Sequence, residues 1–387
     1  MRIAHFCTKF SRMSETFIYG LVQALERSGA ENYVLTGAWI NKSDRPFPRV
    51  TVLPIPLWQK AVFKFRKRWR RTYRFPLPVA ATRNALQAVR PQALLAHFGG
   101  AGAAVAPVTH ELGIPLYVVF HAFDLFMHCF GPDTYAELWR CGARCVAISE
   151  HGRRRLLELG CPTDAVQVIH CGVDLSRFGE APAPASGVDS LRLVSIGRLV
   201  EKKGFDVLLR AMARLRRLVD LRVHLDIWGT GRLGGRLMRL AERLDLQETV
   251  SFKGAADSPS IPRLLGQYDA FVLASRTARD GDTEGIPVTI LEAQAAGLPV
   301  VATHHAGIPE GLPPENHDWL AHEGDAEDLA HKLASLARTD GRGDIGRRGR
   351  EWVRRRFSLE DETDAYLRLL RQPPAADPPP GPVERGV

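Results

Sequence analysis

The chain has 387 residues, 45% of them hydrophobic and 25% charged, with a formal net charge of +9 at pH 7. This length exceeds what one core usually organises, so two domains are expected, and the composition excludes fibrous and largely disordered classes. No run of 18 or more apolar residues is present to span a membrane, and the basic balance points to an anionic partner: nucleotide, phospholipid or nucleic acid. Residues 1–6 read as a first strand and show no secretion signal. The six cysteines (Cys7, Cys129, Cys141, Cys145, Cys161, Cys171) contain no CxxC pair, which predicts reduced thiols and neither a disulfide framework nor a zinc site.

In chain order, a strand is expected over residues 3–7 and a helix over 15–28, with Phe17, Leu21, Val22 and Leu25 on one stripe. Residues 58–74, WQKAVFKFRKRWRRTYR, repeat Trp58, Val62, Phe65, Trp69 and Tyr73 at helical spacing among eight Lys and Arg. Two readings stand: a helix lying on an anionic membrane surface, which is favoured, or one packed on its own domain with its charges solvated. Short apolar runs at 33–36, 93–96, 116–120 and 145–148 alternate with helical stretches, as in a mainly parallel sheet covered by helices. Residues 179–190, GEAPAPASGVDS, read as a linker.

The pattern then restarts: strands over 191–196, 222–227, 250–252 and 270–273, with a helix over 205–218. Residues 284–309 follow as loop, helix (288–296), turn at Gly297 and buried strand (299–303), with Pro287 in the first helical turn. A basic helix (347–356), a last helix (359–370) and a disordered tail (372–387) complete the chain. Two open α/β halves in tandem leave a cleft between their strand C-terminal ends.

Several residues at those ends could carry chemistry. The free N–H groups at the helix start after Glu284 attract phosphates, and Glu284 and Glu292 could accept sugar hydroxyls. Two solvated glutamates is the plain alternative, although Glu292 sits in a mostly small, apolar helix. The loop Gly197-Arg198-Leu199-Val200-Glu201-Lys202-Lys203-Gly204 could clamp a diphosphate or be only a basic turn. His121 follows the run 116–120, with Asp124 three residues on, and His97 follows another. Gly229-Thr230-Gly231-Arg232-Leu233-Gly234 matches the dinucleotide fingerprint, but no acidic residue ends the next strand. It is read as a glycine turn lining a nucleotide cleft.

The stretch from Glu284 to Glu292 resembles the signature of the retaining family 4 glycosyltransferases, whose two glutamates are separated by seven residues. Asp280-Gly281-Asp282 and Ser14-Glu15-Thr16-Phe17 make it most similar to the bacterial exopolysaccharide type, including colanic-acid glycosyltransferases. The resemblance implies an α/β chain of GT-B fold, two Rossmann-like doubly wound domains facing across a cleft. Residues 1–180 would bind the acceptor, joined by the C-terminal helix 359–371, and residues 190–357 the nucleotide-sugar. It implies that Arg198 and Lys203 contact the diphosphate, Glu284 the sugar hydroxyls, Glu292 the ribose, and His121 the sugar near the reacting carbon. Lys202 receives no role. Gly197, Gly229, Gly231, Gly285, Ile286, Pro287 and Val288 would line the donor side, with Ser14, Glu15, His97 and Asp124 as candidate acceptor-side residues.

No metal is expected at Asp280 and Asp282, because two cations already serve the diphosphate, and no cofactor is needed. Two departures put the acceptor contacts in question: residues 9–15 replace the family's Gly-Gly loop, and residues 169–174 replace its Pro-Asn before glycine. The expected activity is retaining transfer of a sugar from a UDP- or GDP-sugar to a glycan or lipid-linked acceptor in surface polysaccharide synthesis. It would occur in the cytoplasm, at the inner membrane face, through residues 58–74 and without nucleic acid. The alternatives are an epimerase or phosphorylase on the same fold, or a non-catalytic basic protein that binds membrane or nucleic acid.

Overall fold

The computed structural model describes residues 1–12, 15–56, 76–179 and 190–371. The basic stretch 58–74, most of the 179–190 linker, Ser14 and the tail from 372 therefore lie outside the described residues. The N-terminal part runs β1 (Arg2–Cys7), α1 (Thr16–Arg27), β2 (Glu31–Thr36), β3 (Val50–Val52), α2 (Val79–Val89), β4 (Ala93–His97) and α3 (Gly99–Glu111). It continues with β5 (Leu116–Phe120), α4 (Phe123–Phe126), α5 (Ala136–Arg140), β6 (Arg144–Ala147), α6 (Glu150–Glu158) and β7 (Val166–Val168).

After the linker come β8 (Ser190–Ile196), α7 (Phe205–Leu215), β9 (Arg222–Trp228), α8 (Gly234–Arg243), β10 (Val250–Gly254), α9 (Ile261–Leu265) and β11 (Ala270–Leu273). The chain closes with α10 (Val288–Ala295), β12 (Val300–Thr303), β13 (Leu320–Ala321), α11 (Ala326–Arg338), α12 (Arg342–Arg356) and α13 (Leu359–Arg371).

The strands form two wholly parallel sheets, a seven-stranded one in the order β3-β2-β1-β4-β5-β6-β7 and a six-stranded one in the order β10-β9-β8-β11-β12-β13. Every position of β4, β5, β11 and β12 is buried, the composition of strands covered by helices on both faces. Leucine and phenylalanine side chains from α7, such as Phe205, Leu208 and Leu209, fill one side of the second sheet, each contributing roughly 1.5–3 kcal/mol by leaving water. In both sheets the winding reverses direction, at β1/β4 in the first and β8/β11 in the second. Loops at such a switch point diverge and leave a crevice at the strand C-terminal ends.

Two crossings join the halves. Val173 N–H donates to Phe357 O at 2.8 Å and Leu359 N–H to Val173 O at 3.0 Å, so the two connecting segments lie side by side. Beyond that point α13 buries Tyr366, Leu367, Leu369 and Leu370 against Ile3 and Tyr117 of the first sheet and Leu21 and Leu25 of α1. All six cysteines are free thiols. Among the described residues no helix is long and apolar enough to cross a membrane.

Candidate active site

The turn after β8 carries Arg198 and a single 3₁₀ turn, Glu201–Lys203, before α7 begins. Lys203 is buried, and its Nζ lies 3.0 Å from Oε1 of Glu284, which is buried in the loop between β11 and α10. Burial alone pushes the Glu284 carboxyl up, but Lys203 and then Lys202 outweigh it and hold the group at about 2, fully ionised. Burial draws Lys203 below the ordinary lysine range, with Glu284 pulling the other way. A fixed cation beside a fixed carboxylate can meet a phosphate and a hydroxyl at adjacent points.

Lys202 is also buried, and its Nζ donates to Asp282 Oδ1 at 2.9 Å and to Thr283 O at 2.7 Å. It therefore fastens the loop that presents Glu284, a role the sequence reading did not give it. Arg198 is exposed and forms no ion pair among the described residues. Its charge acts on Glu15, whose carboxylate pairs with Arg12 Nη1 at 2.6 Å and is pushed up by burial.

The helix start differs slightly from the sequence expectation. Pro287 has a non-helical ψ of 120° and caps α10 from outside, so the first turn begins at Val288. Ile286 is buried in the core beneath, and a Cβ at Gly285 would lie 2.7 Å from Ile148 Cδ1 of the other domain. Along α10, Thr289 Oγ1 is buried without a hydrogen-bond partner among the described residues. Glu292 is 9% exposed, and burial pushes its carboxyl up to about 7 against the opposing charge of Arg177. Its carboxyl has no side-chain hydrogen bond among the described residues.

Gly229 and Gly231 pack backbone on backbone. A Cβ at Gly229, where φ is +149°, would fall 1.8 Å from Gly197 O, and one at Gly231 would fall 2.5 Å from Leu199 O. The two glycines thus let the 197–199 turn cross the end of β9, with Leu199 N–H donating to Thr230 O at 2.9 Å. That crossing accounts for the repeat without a dinucleotide.

In the N-terminal domain, His121 is buried between the rings of Phe17 and Phe98, each centroid 4.6 Å away. Burial lowers it to about 3, so the imidazole is neutral, and its Nε2 has no partner among the described residues. Asp124 does not face the cleft with a free oxygen. Its carboxylate accepts the N–H of Gly99 at 2.5 Å and of His121 at 2.7 Å, and burial raises it to about 8. This clamp holds Phe98 at a φ of +75°, a strained conformation for a bulky residue. Asp124 is therefore better described as the residue that positions His121. His97 is 1% exposed and stacked on His5 at 5.6 Å, with Nε2 3.3 Å from His5 Nδ1; that packing, not the cleft, accounts for its contacts.

The Asp280 and Asp282 pair divides. Asp282 is held by Lys202, and the Asp280 carbonyl accepts the N–H of His128 across the cleft at 3.0 Å. Among the described residues no group of three or more His, Cys, Asp or Glu side chains is placed to hold a metal.

Sequence reasoning missed His305 and Glu310. His305 is 2% exposed two residues beyond β12 and contacts the Glu284 backbone; its place at a strand end is the signal that singled out His121. Glu310 reaches across to the start of α6, and no local pattern marks such a contact.

Two parallel doubly wound domains facing across a cleft, with a buried Lys–Glu pair at one switch point, define a GT-B architecture. Residues 14–177 match the family described as Glycosyltransferase Family 4, and residues 190–339 the one described as Glycosyl transferases group 1. The chain is 31% identical to the putative colanic acid biosynthesis glycosyltransferase WcaL of Escherichia coli, over 93% of this chain and 97% of that protein. It is 35% identical to the amylovoran biosynthesis glycosyltransferase AmsK of Erwinia amylovora over 63% and 60% of the two chains. Among solved structures, a glycosyltransferase from Rickettsia africae superposes with a TM-score of 0.76 at 18% identity, covering 95% and 97% of the chains. HepE of Anabaena, in complex with UDP, gives 0.76 at 19% identity over 96% and 99%. The chain belongs to glycosyltransferase family 4.

Proposed function

We propose that the protein transfers a sugar from a nucleoside diphosphate carrier, UDP or GDP, to a glycan or lipid-linked acceptor with retention of anomeric configuration. The observation that carries this reading is the buried Lys203–Glu284 pair at the β8/β11 switch point. Arg198 and Lys203 meet the diphosphate and stabilise the charge it takes up as it departs with the bonding electrons. Glu284 holds hydroxyls of the transferred sugar, and Glu292 accepts those of the ribose. The acceptor hydroxyl attacks from the face the diphosphate leaves, and its proton passes to the leaving phosphate oxygen. Neutral His121, with Nε2 unpartnered, contacts the sugar beside the reacting carbon without adding charge.

Relatives whose names carry colanic acid and amylovoran biosynthesis support a surface polysaccharide as the acceptor class. Both carriers are tested, since a relative 30% identical over 59% of this chain is a GDP-mannose-dependent mannosyltransferase and HepE was solved with UDP. Residues 58–74 would hold the enzyme at the cytoplasmic membrane face. The test is incubation of purified protein with UDP- and GDP-sugars and a lipid-linked acceptor extract, following nucleoside diphosphate release and the anomeric proton of the product. Retained configuration and activity undiminished by EDTA are expected; an inverted product, or activity restored only by manganese, overturns the mechanism.

A further inference from the structure

His305 lies just past β12, with its ring within reach of two other loops. Its Nδ1 is 2.8 Å from Glu323 Oε2, and its Nε2 is 3.3 Å from the backbone nitrogen of Glu284. A backbone N–H only donates, so Nε2 must carry the lone pair. The proton is then on Nδ1 and is donated to Glu323, whose carboxylate only accepts. The other Glu323 oxygen, Oε1, accepts the N–H of Thr277 at 2.6 Å. Burial pushes the Glu323 carboxyl up, but the Thr277 N–H and His305 outweigh it and hold the group below the usual carboxylate range.

Thr277 and Glu284 are the two ends of one loop. Between them the loop turns on itself, Ala278 N–H donating to Asp282 O at 2.9 Å, and its Asp280 carbonyl reaches the other domain through His128. One His–Glu dyad therefore clasps both ends of the loop, and Lys202 ties its middle. The Glu284 side chain is borne on the Cα bonded to the backbone nitrogen that His305 holds.

We infer that His305, held in one tautomer by Glu323, is a positioning residue for transfer: it sets the direction in which Glu284 presents its carboxylate. The inference rests on the proposed role of Glu284 at the sugar. His305 contacts the Glu284 backbone and Glu323, and neither residue is among those proposed to meet the donor, so their effect passes through Glu284.

The two roles separate experimentally. His305→Leu removes the acceptor, whereas His305→Gln supplies one acceptor and one donor in a planar amide of similar reach. His305→Leu should lower kcat by about tenfold or more, a fraction of what losing a direct contact costs, with affinity for free UDP or GDP changed less than about twofold. His305→Gln should recover most of the loss. Glu323→Ala, at a partly exposed position, should lower kcat in the same way and gives a second variant should His305→Leu fold poorly. The combination His305→Leu with Glu284→Gln should be no slower than Glu284→Gln alone, as expected of residues acting in series. Multiplying losses, full activity of both His305→Leu and Glu323→Ala, or an equal fall in nucleotide affinity would overturn the positioning role while leaving Glu284 at the sugar. An active Glu284→Gln single variant would instead remove the reading of Glu284, and this inference with it.

Discussion

The Glu310 carboxylate accepts the backbone N–H of His151 at 2.8 Å, although the two residues belong to opposite domains. Its other oxygen takes the N–H of Glu150 at 2.7 Å. Those are the first two residues of α6, whose next free group, the N–H of Gly152, is taken by Ser149 Oγ at 3.0 Å. A helix start in one domain is thus capped by a carboxylate from the other, where the partial positive charge of the helix end favours an anion.

This contact should hold the cleft shut. Hydrogen bonds to a charged group are worth roughly 1.5–3 kcal/mol when buried and less when half-exposed like this one. Glu310→Ala should therefore increase the radius of gyration in solution scattering and speed hydrogen exchange at residues 150 and 151. Exchange and scattering unchanged from wild type would mean that the clasp carries no weight. Acid should mimic the substitution. Burial opposes ionisation of Glu310, but His170 and the two backbone N–H groups outweigh it and hold the carboxyl below its ordinary value of 4.5. A depressed folded-state value means that the contribution is complete above that ordinary value and is lost as pH falls through the lower one.

The two adjacent lysines should fail differently. Lys203→Ala, like Arg198→Ala, should lower kcat by ~100-fold or more, in line with losing one fixed donor to a developing anion. Sequence reasoning alone leaves Lys202→Ala nearly silent, but its two bonds to the 282–283 segment change that expectation. Breaking this pair should cost about 3–5 kcal/mol if the partner is left buried and charged, and transfer should fall through the displaced loop. Lys202→Met with Asp282→Asn should regain much of the melting temperature, whereas Lys203→Ala should gain nothing from Asp282→Asn. Identical behaviour of both lysines in this comparison would refute the division.

The fold was readable because its signals are local. Parallel strands such as Leu116–Phe120 are short apolar runs, and helices such as Thr16–Arg27 show one apolar stripe. Boundaries slipped where a single backbone angle decides, as at Pro287. The site was readable in its parts but not in its pairings. Lys203 and Glu284 are far apart in sequence, and nothing local says that Lys203 meets Glu284 while Lys202 meets Asp282. Asp124 and His97 look like cleft residues because they lie near strand ends; only the packing shows one clamping backbone N–H groups and the other stacked on His5.

Glu292 should make nucleotide binding depend on pH near neutrality. Burial raises its carboxyl to about 7, with Arg177 opposing. The raised value means the free protein keeps this group protonated up to about pH 7, so it contributes less stability as pH rises from the ordinary 4.5 through 7. In the proposed site a ribose hydroxyl donates to this carboxylate, so binding should favour the ionised form and release a proton. Affinity for free UDP or GDP should rise between pH 6 and 8, by about tenfold at most per unit. Titration calorimetry in buffers of different ionisation enthalpy would count the protons released. Glu292→Gln should weaken binding and flatten the profile; a variant with the wild-type slope would place the titrating group elsewhere.

Residues 58–74 lie outside the described structure, so the expectation for them rests on sequence. Trp58, Val62, Phe65, Trp69 and Tyr73 recur at helical spacing, and Lys60, Lys64, Arg66, Lys67, Arg68, Arg70, Arg71 and Arg74 supply the charge. No Asp or Glu occurs from Arg45 to His110, so nothing nearby in sequence neutralises them. Each basic residue near an anionic leaflet contributes up to ~1 kcal/mol, screened within a Debye length. The protein should therefore sediment with vesicles rich in phosphatidylserine or phosphatidylglycerol, leave them at high salt, and ignore phosphatidylcholine vesicles. Replacing Arg66, Lys67, Arg68, Arg70 and Arg71 with glutamine should abolish sedimentation while nucleotide binding, which the proposed function assigns to the second domain, stays intact. If the five-fold variant still sediments, the aromatic face packs on the N-terminal domain and the charges are only solvated.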